Sequence, residues 1–291
     1  MNKVIVVVGP TAVGKTKMSV ELALTLGGEV INADSMQVYK GLDIGTAKVK
    51  SNEKKGIKHH LFDIATVTQN YTVFDYQRDC RKKIEEVQKR GHIPILVGGT
   101  GLYIKAALYD YEFEKEEERL SFDHLSTEEI YHKILELDPE STVDSHNRRR
   151  LERCYTHLLK EVGPKVERDH LLYDALFIGL TTGREVLYNR IDTRVDGMLL
   201  DLVDEVKFFY DQNINSKALA TGIGYKEFYD FFDGKATFRE AVENVKQNSR
   251  NYAKKQYTWF LNQMDVEWFS VHFDDFDQTV KEVLAYLEKA L

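Results

Sequence analysis

The segment GPTAVGKT at residues 9–16 constrains this chain more than any other. It fits the pattern GxxxxGK followed by Ser or Thr, and its flanks suit it. Val4 to Val8 is a β-branched apolar run that reads as a buried strand and stops at Gly9-Pro10. Lys15 to Leu26 reads as a helix with Met18, Leu22 and Leu26 four apart on one face, closed by Gly27-Gly28. A strand, a glycine-containing loop and a helix N-terminus together turn backbone N–H groups onto an anion. Gly9, Thr11, Ala12, Val13, Gly14, Lys15 and Thr16 are the expected diphosphate-binding residues. Lys15 brings a full charge, and the Thr16 hydroxyl is the expected ligand for Mg²⁺. The motif points to a di- or triphosphate without saying which bond breaks.

The rest of the chain alternates in the same manner. Glu29 to Ala33 reads as a strand ending at Asp34, and Phe74 to Arg90 as an amphipathic helix with Ile84 and Val87 on its apolar side. Ile93 to Val97 is another buried strand, running into Gly98-Gly99-Thr100-Gly101. Leu176 to Leu180 is a further strand, and Arg184 to Tyr210 a long helix. The expectation is an α/β fold: a P-loop kinase-like parallel sheet flanked by helices. Between these parts, Asp110 to Glu118 holds six acids and one lysine. Helical patterns follow at Thr127–Leu137 and Asn147–Val162 with no strand between them. We therefore expect a core over residues 1–112, a helical insertion over 113–172, and the remaining core with C-terminal helices over 173–291.

A chain of 291 residues buries a core without staples. Cys80 and Cys154 form no CxxC pair, so zinc and disulfides are not expected. The first apolar run is too short for a signal peptide, and no stretch is long enough to span a membrane. A soluble, cytoplasmic, monomeric protein is expected. The formal net charge of −7 excludes an all-over basic surface but not a local basic face.

P-loop NTPases hold Mg²⁺ partly with an acid at the end of a buried strand. Here the strand at 93–97 ends in glycines instead, and the strand at 29–33 ends in Asp34. In a parallel sheet both ends share the P-loop edge, which places Asp34 and Thr100 across one cleft. By position alone Asp34 also suits a turn, and Gly-Gly-Thr-Gly a tight bend.

Taken together, GPTAVGKT at 9–16, DSMQVYKGLDIGTAK at 34–48, HHLFDI at 59–64, GGTGLY at 98–103, NRRRLER at 147–153, RIDTRVDGML at 190–199, GIGYKE at 222–227 and RNYAKKQYTWF at 250–260 resemble the tRNA dimethylallyltransferase family, also called tRNA isopentenyltransferases. The segments stand in the family's order and span most of the chain. The first is shared by many proteins, whereas the 34–48 block is far more specific. The resemblance implies transfer of a five-carbon group from dimethylallyl diphosphate to N6 of adenosine 37, beside the tRNA anticodon, with pyrophosphate leaving. It also implies a helical insertion that grips the anticodon stem-loop.

On that resemblance Asp34 accepts a hydrogen bond from the N6 amine or acts as its general base, and Thr100 orients the reacting end of the donor. Lys15 stabilises the charge developing on pyrophosphate. Ser35, Met36 and Gln37 contact the extruded adenosine, although Met36 also suits core packing. Arg194 either neutralises pyrophosphate or pairs at the surface with Asp192 and Asp196. Lys246, Arg250 and Lys254, four apart and without an acid from 246 to 255, form an expected tRNA-binding face. Asn251 and Tyr252 interleave with these bases, while Tyr257 and Trp259 read as core. His146, Arg148, Arg149 and Arg150 form a second basic cluster from which one or two side chains meet RNA. His59-His60 reads as structural, lining the cleft. The rival readings are a small-molecule or nucleotide kinase, a P-loop switch protein, and a sister enzyme that prenylates free AMP or ADP.

Overall fold

In the computed structural model, which describes residues 3–113, 120–160 and 170–290, the buried runs form one six-stranded parallel sheet. Along the chain the elements are β1 (Lys3–Val8), α1 (Lys15–Leu26), β2 (Gly28–Asn32), β3 (His59–His60), α2 (Val73–Lys89), β4 (Ile93–Val97) and α3 (Gly101–Leu108). Then come α4 (Thr127–Leu137), α5 (Arg148–Leu159), β5 (Asp174–Thr181), α6 (Arg184–Asp211), α7 (Lys217–Thr221), α8 (Tyr225–Phe232), α9 (Phe238–Gln263), β6 (Glu267–Ser270) and α10 (Phe276–Ala290). The strand order is β3-β2-β4-β1-β5-β6, every neighbour parallel.

The sequence of β1 shows why it sits at the centre. Val4 to Val8 are all fully buried, so no residue of the run meets water. Side chains alternate across a strand. Val4, Val6 and Val8 enter one apolar core, while Ile5 and Val7 enter another on the opposite face. Burying each such side chain stabilises the fold by about 1.5–3 kcal/mol. Helix α2 starts where Thr72 accepts from the Asp75 N–H and Asp75 returns the bond, a reciprocal cap.

The contact pattern divides the chain into two units. One is Met1–Tyr111 with His170–Leu291 and carries the whole sheet; the other is Glu112–Asp169. The second unit has its own small core of Phe122, Ile130, Ile134 and Leu151. There Arg148 donates to the carbonyls of Leu125 (2.8 Å) and Phe122 (2.9 Å) and pairs with Glu152 at 2.8 Å. Within the second basic cluster, Arg148 holds this unit together, while His146, Arg149 and Arg150 stay exposed.

Residues 114–118 of the acidic run, 161–162 of the helix expected over Asn147–Val162, and the first two residues of the N-terminal apolar run lie outside the described residues. Strands β3 and β6 and helix α3 were not anticipated, and α7, α8 and α10 were expected only collectively, as C-terminal helices. Two residues are too few to show a period, and the sequence of β6, EWFS, is an edge strand only half buried. Cys80 is buried, Cys154 is half-buried, and both are free thiols. No helix among the described residues is long and apolar enough to cross a membrane.

One buried carboxylate ties the amino-terminal edge of the sheet. Glu29 accepts from Arg90 at 2.7 and 3.0 Å and meets His60 and His92 at 2.6 Å each. Burial alone raises a carboxyl pKa, but donation from Arg90, His60 and His92 outweighs it and holds Glu29 well below the usual range. A depressed carboxyl pKa stabilises the fold above the unfolded value and loses that effect on acidification. Glu29→Gln should therefore cost about 2–3 kcal/mol near neutral pH. In urea titrations across pH, that difference should shrink as pH falls below the ordinary carboxyl value of 4.5.

Candidate active site

The loop after β1 is shaped by three residues with positive φ: Gly9 at 134°, Ala12 at 66° and Gly14 at 102°. Gly14 is the left-handed residue that opens α1 and aims the helix N-terminus into the loop. At Gly9 a Cβ would lie 2.4 Å from the Leu180 carbonyl oxygen, so β5 leaves room only for glycine. The Lys15 ammonium folds back over the loop and donates to the carbonyls of Gly9 (3.0 Å) and Pro10 (2.7 Å). Burial pushes its pKa down to about 8; Asp34 opposes that shift and Arg194 adds to it.

A cleft of about 160 Å³ opens beside this loop. Thr11, Ala12, Gly14, Lys15, Thr16, Asp34, Gln37, Arg194, Tyr252 and Gln256 line it. Asp34 comes from the end of β2, where Asn32 clamps its backbone by accepting from the Asp34 N–H (2.9 Å) and donating to its carbonyl (3.0 Å). The Asp34 Oδ1 accepts from the Met36 N–H at 2.8 Å. The turn geometry and the cleft position therefore belong to one residue. Burial pushes the Asp34 carboxyl up; the Met36 N–H, Lys15, the Gln37 N–H and Arg194 restrain the rise.

Thr100 sits on the turn after β4. Its hydroxyl accepts from the Ser35 N–H at 3.0 Å and donates to the Ser35 hydroxyl at 3.3 Å. At Gly98 a Cβ would fall 2.1 Å from the Ala33 carbonyl oxygen, so the turn after β4 presses on the end of β2. Asp34 and Thr100 thus stand on adjoining turns joined through Ser35.

Arg194 on α6 turns toward the loop and donates to the Thr11 hydroxyl at 2.9 Å. Its neighbours Asp192 and Asp196 pair with α9 instead. The Arg194 Nε and the His59 Nε2 are buried with no hydrogen-bond partner, and both residues line the cleft. The His59 Nδ1 lies 2.9 Å from the Ile57 carbonyl, which makes Nδ1 the donor and leaves Nε2 a bare acceptor in the neutral ring.

The expected basic face on α9 is corrected at two positions. Lys246 pairs with Asp196 at 2.7 Å and Arg250 with Asp192 at 2.6 Å, and both cations are largely covered. Each pair is spaced four residues on its own helix and runs antiparallel to the other, so the four charges match across the α6–α9 contact. Lys254, Lys255 and Asn251 remain exposed. Tyr252 turns into the cleft, whereas Tyr257 stacks edge-on with Trp268 and Trp259 packs against the core. Met36 packs on the core beside Gly222, where a Cβ would come 2.8 Å from its methyl. Gln37 lines the cleft and donates to the Thr46 carbonyl at 2.9 Å.

Gln256 and Glu205 escape the sequence reading, which places Tyr252 on the basic face rather than in the cleft. Gln256 and Tyr252 enter the cleft from α9. Glu205 of α6 accepts from the consecutive N–H groups of Asp43, Ile44 and Gly45 at 2.8–3.1 Å and from the Tyr225 hydroxyl at 2.5 Å. That carboxylate pins the 34–48 segment from below. The contacts cross about 160 residues of sequence, which no local pattern reveals.

A glycine-shaped loop between β1 and α1, with two cations over it and a buried carboxylate opposite, thus sits at one edge of a parallel α/β sheet, the layout of the P-loop fold. The family model described as IPP transferase matches residues 37–263. A tRNA dimethylallyltransferase of Anoxybacillus flavithermus is 47% identical over 99% of this chain and 96% of its own length. The solved tRNA isopentenylpyrophosphate transferase of Bacillus halodurans superposes with a TM-score of 0.78 at 40% identity, covering 100% of this chain and 98% of its own. A eukaryotic dimethylallyltransferase captured acting on tRNA gives 0.83 at 29% identity, over 97% of this chain and 77% of its own. The chain belongs to the IPP transferase family.

Lys15 loses its charge as pH rises through about 8, so affinity for pyrophosphate should fall over that range. Lys15→Met should bind more weakly throughout and lose that part of the pH dependence, as read by calorimetry at pH roughly 7 and 9.5, either side of the lysine pKa. Arg250→Ala and Asp192→Ala should each destabilise the fold by about 1 kcal/mol, and the double variant by less than their sum, in denaturant titrations.

Proposed function

We propose that this protein moves a dimethylallyl group from dimethylallyl diphosphate to N6 of adenosine 37 in tRNA and releases pyrophosphate, acting as a monomer in the cytoplasm. The observation that carries the reading is one cleft in which a phosphate cradle faces a buried carboxylate. A kinase also sets an acid near its cradle, so the family match is what favours alkyl transfer over phosphoryl transfer.

An exocyclic adenine amine is a poor nucleophile because its lone pair is delocalised into the ring. The donor must therefore be ready to leave and the amine must be placed. In this reading the C1–O bond of the donor breaks with its electron pair moving onto pyrophosphate. The loop N–H groups, Lys15 and Arg194 stabilise that charge where it develops. The N6 lone pair forms the new C–N bond, and the N6 proton passes to Asp34. A carboxyl raised by burial suits a base that must later release its proton. Thr100, held by Ser35, orients the reacting carbon, and Gln37 meets the adenosine.

The residues fit Mg²⁺. The Thr16 hydroxyl lines the cleft, and no group of three His, Cys, Asp or Glu side chains among the described residues is placed to hold a metal. That donor set suits an ion carried mainly by diphosphate oxygens and water, with Thr16 as its protein ligand. When bound, Mg²⁺ neutralises charge on the departing pyrophosphate.

Lys254 and Lys255, exposed on α9, and Arg149 and Arg150, exposed on α5, are cations that can meet RNA phosphates in this reading. Lys246 and Arg250 act on RNA only indirectly, by fixing α9.

The test is a transfer assay with labelled dimethylallyl diphosphate, Mg²⁺ and unmodified tRNA, with AMP and ATP as parallel acceptors. Label should enter tRNA alone. Asp34→Asn should lower turnover by at least about 100-fold, in the range of lost acid–base catalysis, while pyrophosphate affinity stays within a few-fold. Label in AMP but not tRNA would reassign the acceptor. Lys254→Ala should reduce the salt slope of tRNA binding by about one.

A further inference from the structure

Gln256 is a buried polar side chain in the cleft, and the phosphate-site motif does not include it. It is 4% exposed, in the C-terminal third of α9. Its Oε1 accepts from the Thr11 N–H at 2.8 Å, and its Nε2 donates to the Gly99 carbonyl at 3.1 Å. One amide therefore holds the phosphate loop with one end and the turn carrying Thr100 with the other. Tyr252, one helical turn away on α9, lines the same cleft, and Thr100 and Gln256 oppose the rise that burial imposes on its phenol. Thr100 in turn accepts from the Ser35 N–H, next to Asp34.

Two details show that this bridge is built for one geometry. A Cβ at Gly99 would lie 1.8 Å from Nε2, so the turn approaches the amide as closely as glycine permits. The Thr11 N–H, a loop donor, is directed to Gln256, while the Thr11 hydroxyl takes the Arg194 guanidinium. Thr11 thus fastens the loop to both α9 and α6, and Arg190 of α6 adds a bond to the Ala12 carbonyl at 3.2 Å.

We infer that Gln256 is a positioning residue that sets the phosphate loop in register with Thr100 and Asp34, so that the departing diphosphate and the attacking amine are held on one line. The inference rests on the transferase reading above. Either half of the cleft binds its ligand without the bridge; the bridge fixes the distance between halves. A displacement of about 1 Å between reacting groups costs roughly 100-fold in rate. The effect should therefore fall on kcat and leave ground-state binding nearly untouched.

The experiment compares Gln256→Met, which keeps the length and loses both hydrogen bonds, with Gln256→Glu, which keeps the acceptor for Thr11 and loses the donor to Gly99. Gly99→Ala perturbs the same contact from the other side. For each, kcat and KM are measured for dimethylallyl diphosphate and for an anticodon stem-loop RNA. Inorganic pyrophosphate affinity with Mg²⁺ and melting temperature are measured alongside. All three variants should lose about 10- to 100-fold in kcat, with pyrophosphate Kd and RNA KM within about 3-fold of wild type. Gln256→Met combined with Thr100→Ala should be little worse than the poorer single variant, since both act through one chain of contacts.

Wild-type kcat in the folded variants would overturn the inference. So would a loss of pyrophosphate affinity as large as the loss of rate, because Gln256 would then only shape the phosphate site. If Gln256→Met does not fold, Gln256→Glu and Gly99→Ala decide between the same outcomes. Absence of transfer by the wild-type protein would instead remove the transferase reading itself.

Discussion

The backbone ladder does not stop where the strands stop. Ala33 donates to the Val97 carbonyl (2.8 Å), Gly98 to Val7 (3.3 Å) and Thr100 back to Ala33 (3.2 Å). These bonds carry the pairing of β2, β4 and β1 past their last strand residues and into the turns that bear the candidate chemistry. Asp34 and Thr100 are consequently extensions of the sheet rather than passengers on loose loops. The glycines at 98 and 99 follow from the same constraint, because each turn runs within side-chain distance of its neighbour. A site that must hold two substrates in line gains from being spliced into the most rigid part of the molecule.

How much of this was legible depends on whether the signal was local. The phosphate loop was, since its strand, glycines and helix are contiguous and each has a steric reason. The β2 and β4 runs were, since strands buried on both faces read as unbroken apolar stretches. From those, the shared edge of Asp34 and Thr100 followed by parallel topology alone. Gln256 was not legible. It stands in a helix among lysines and aromatics, and its significance lies in contacts 157 and 245 residues away. The same holds for Glu205. The apparent basic stripe misled for a related reason: a run without acids on α9 says nothing about acids on α6. Asp192 and Asp196 were visible in the sequence, but only the antiparallel packing of the two helices shows which cations they take.

That pairing also redistributes charge. A net charge of −7 describes the whole chain. Two of the three cations that stood out on α9 are neutralised within the fold, and Arg148 is committed to carbonyls. Of the cations singled out on α5 and α9, Arg149, Arg150, Lys254 and Lys255 stay exposed. Meanwhile Lys15 and Arg194 are withdrawn into the cleft, where burial disfavours their charge. The exposed cations and the cleft cations are thus separate sets of side chains.

The contacts joining Thr11 through Gln256 to the Gly99 turn, and Thr100 to Ser35, contain only amides and hydroxyls. None of these carries charge near neutral pH, and neither does the neighbouring Tyr252 phenol, which burial pushes higher still. Counter-ions and protons therefore have little hold on the spacing between the two halves of the cleft. Polyanion capture must weaken whenever salt rises, because it is a competition with dissolved ions. The internal alignment is exempt from that competition. An enzyme arranged in this way changes how often it engages its macromolecular substrate as the ionic medium varies, while each productive encounter proceeds with the same geometry.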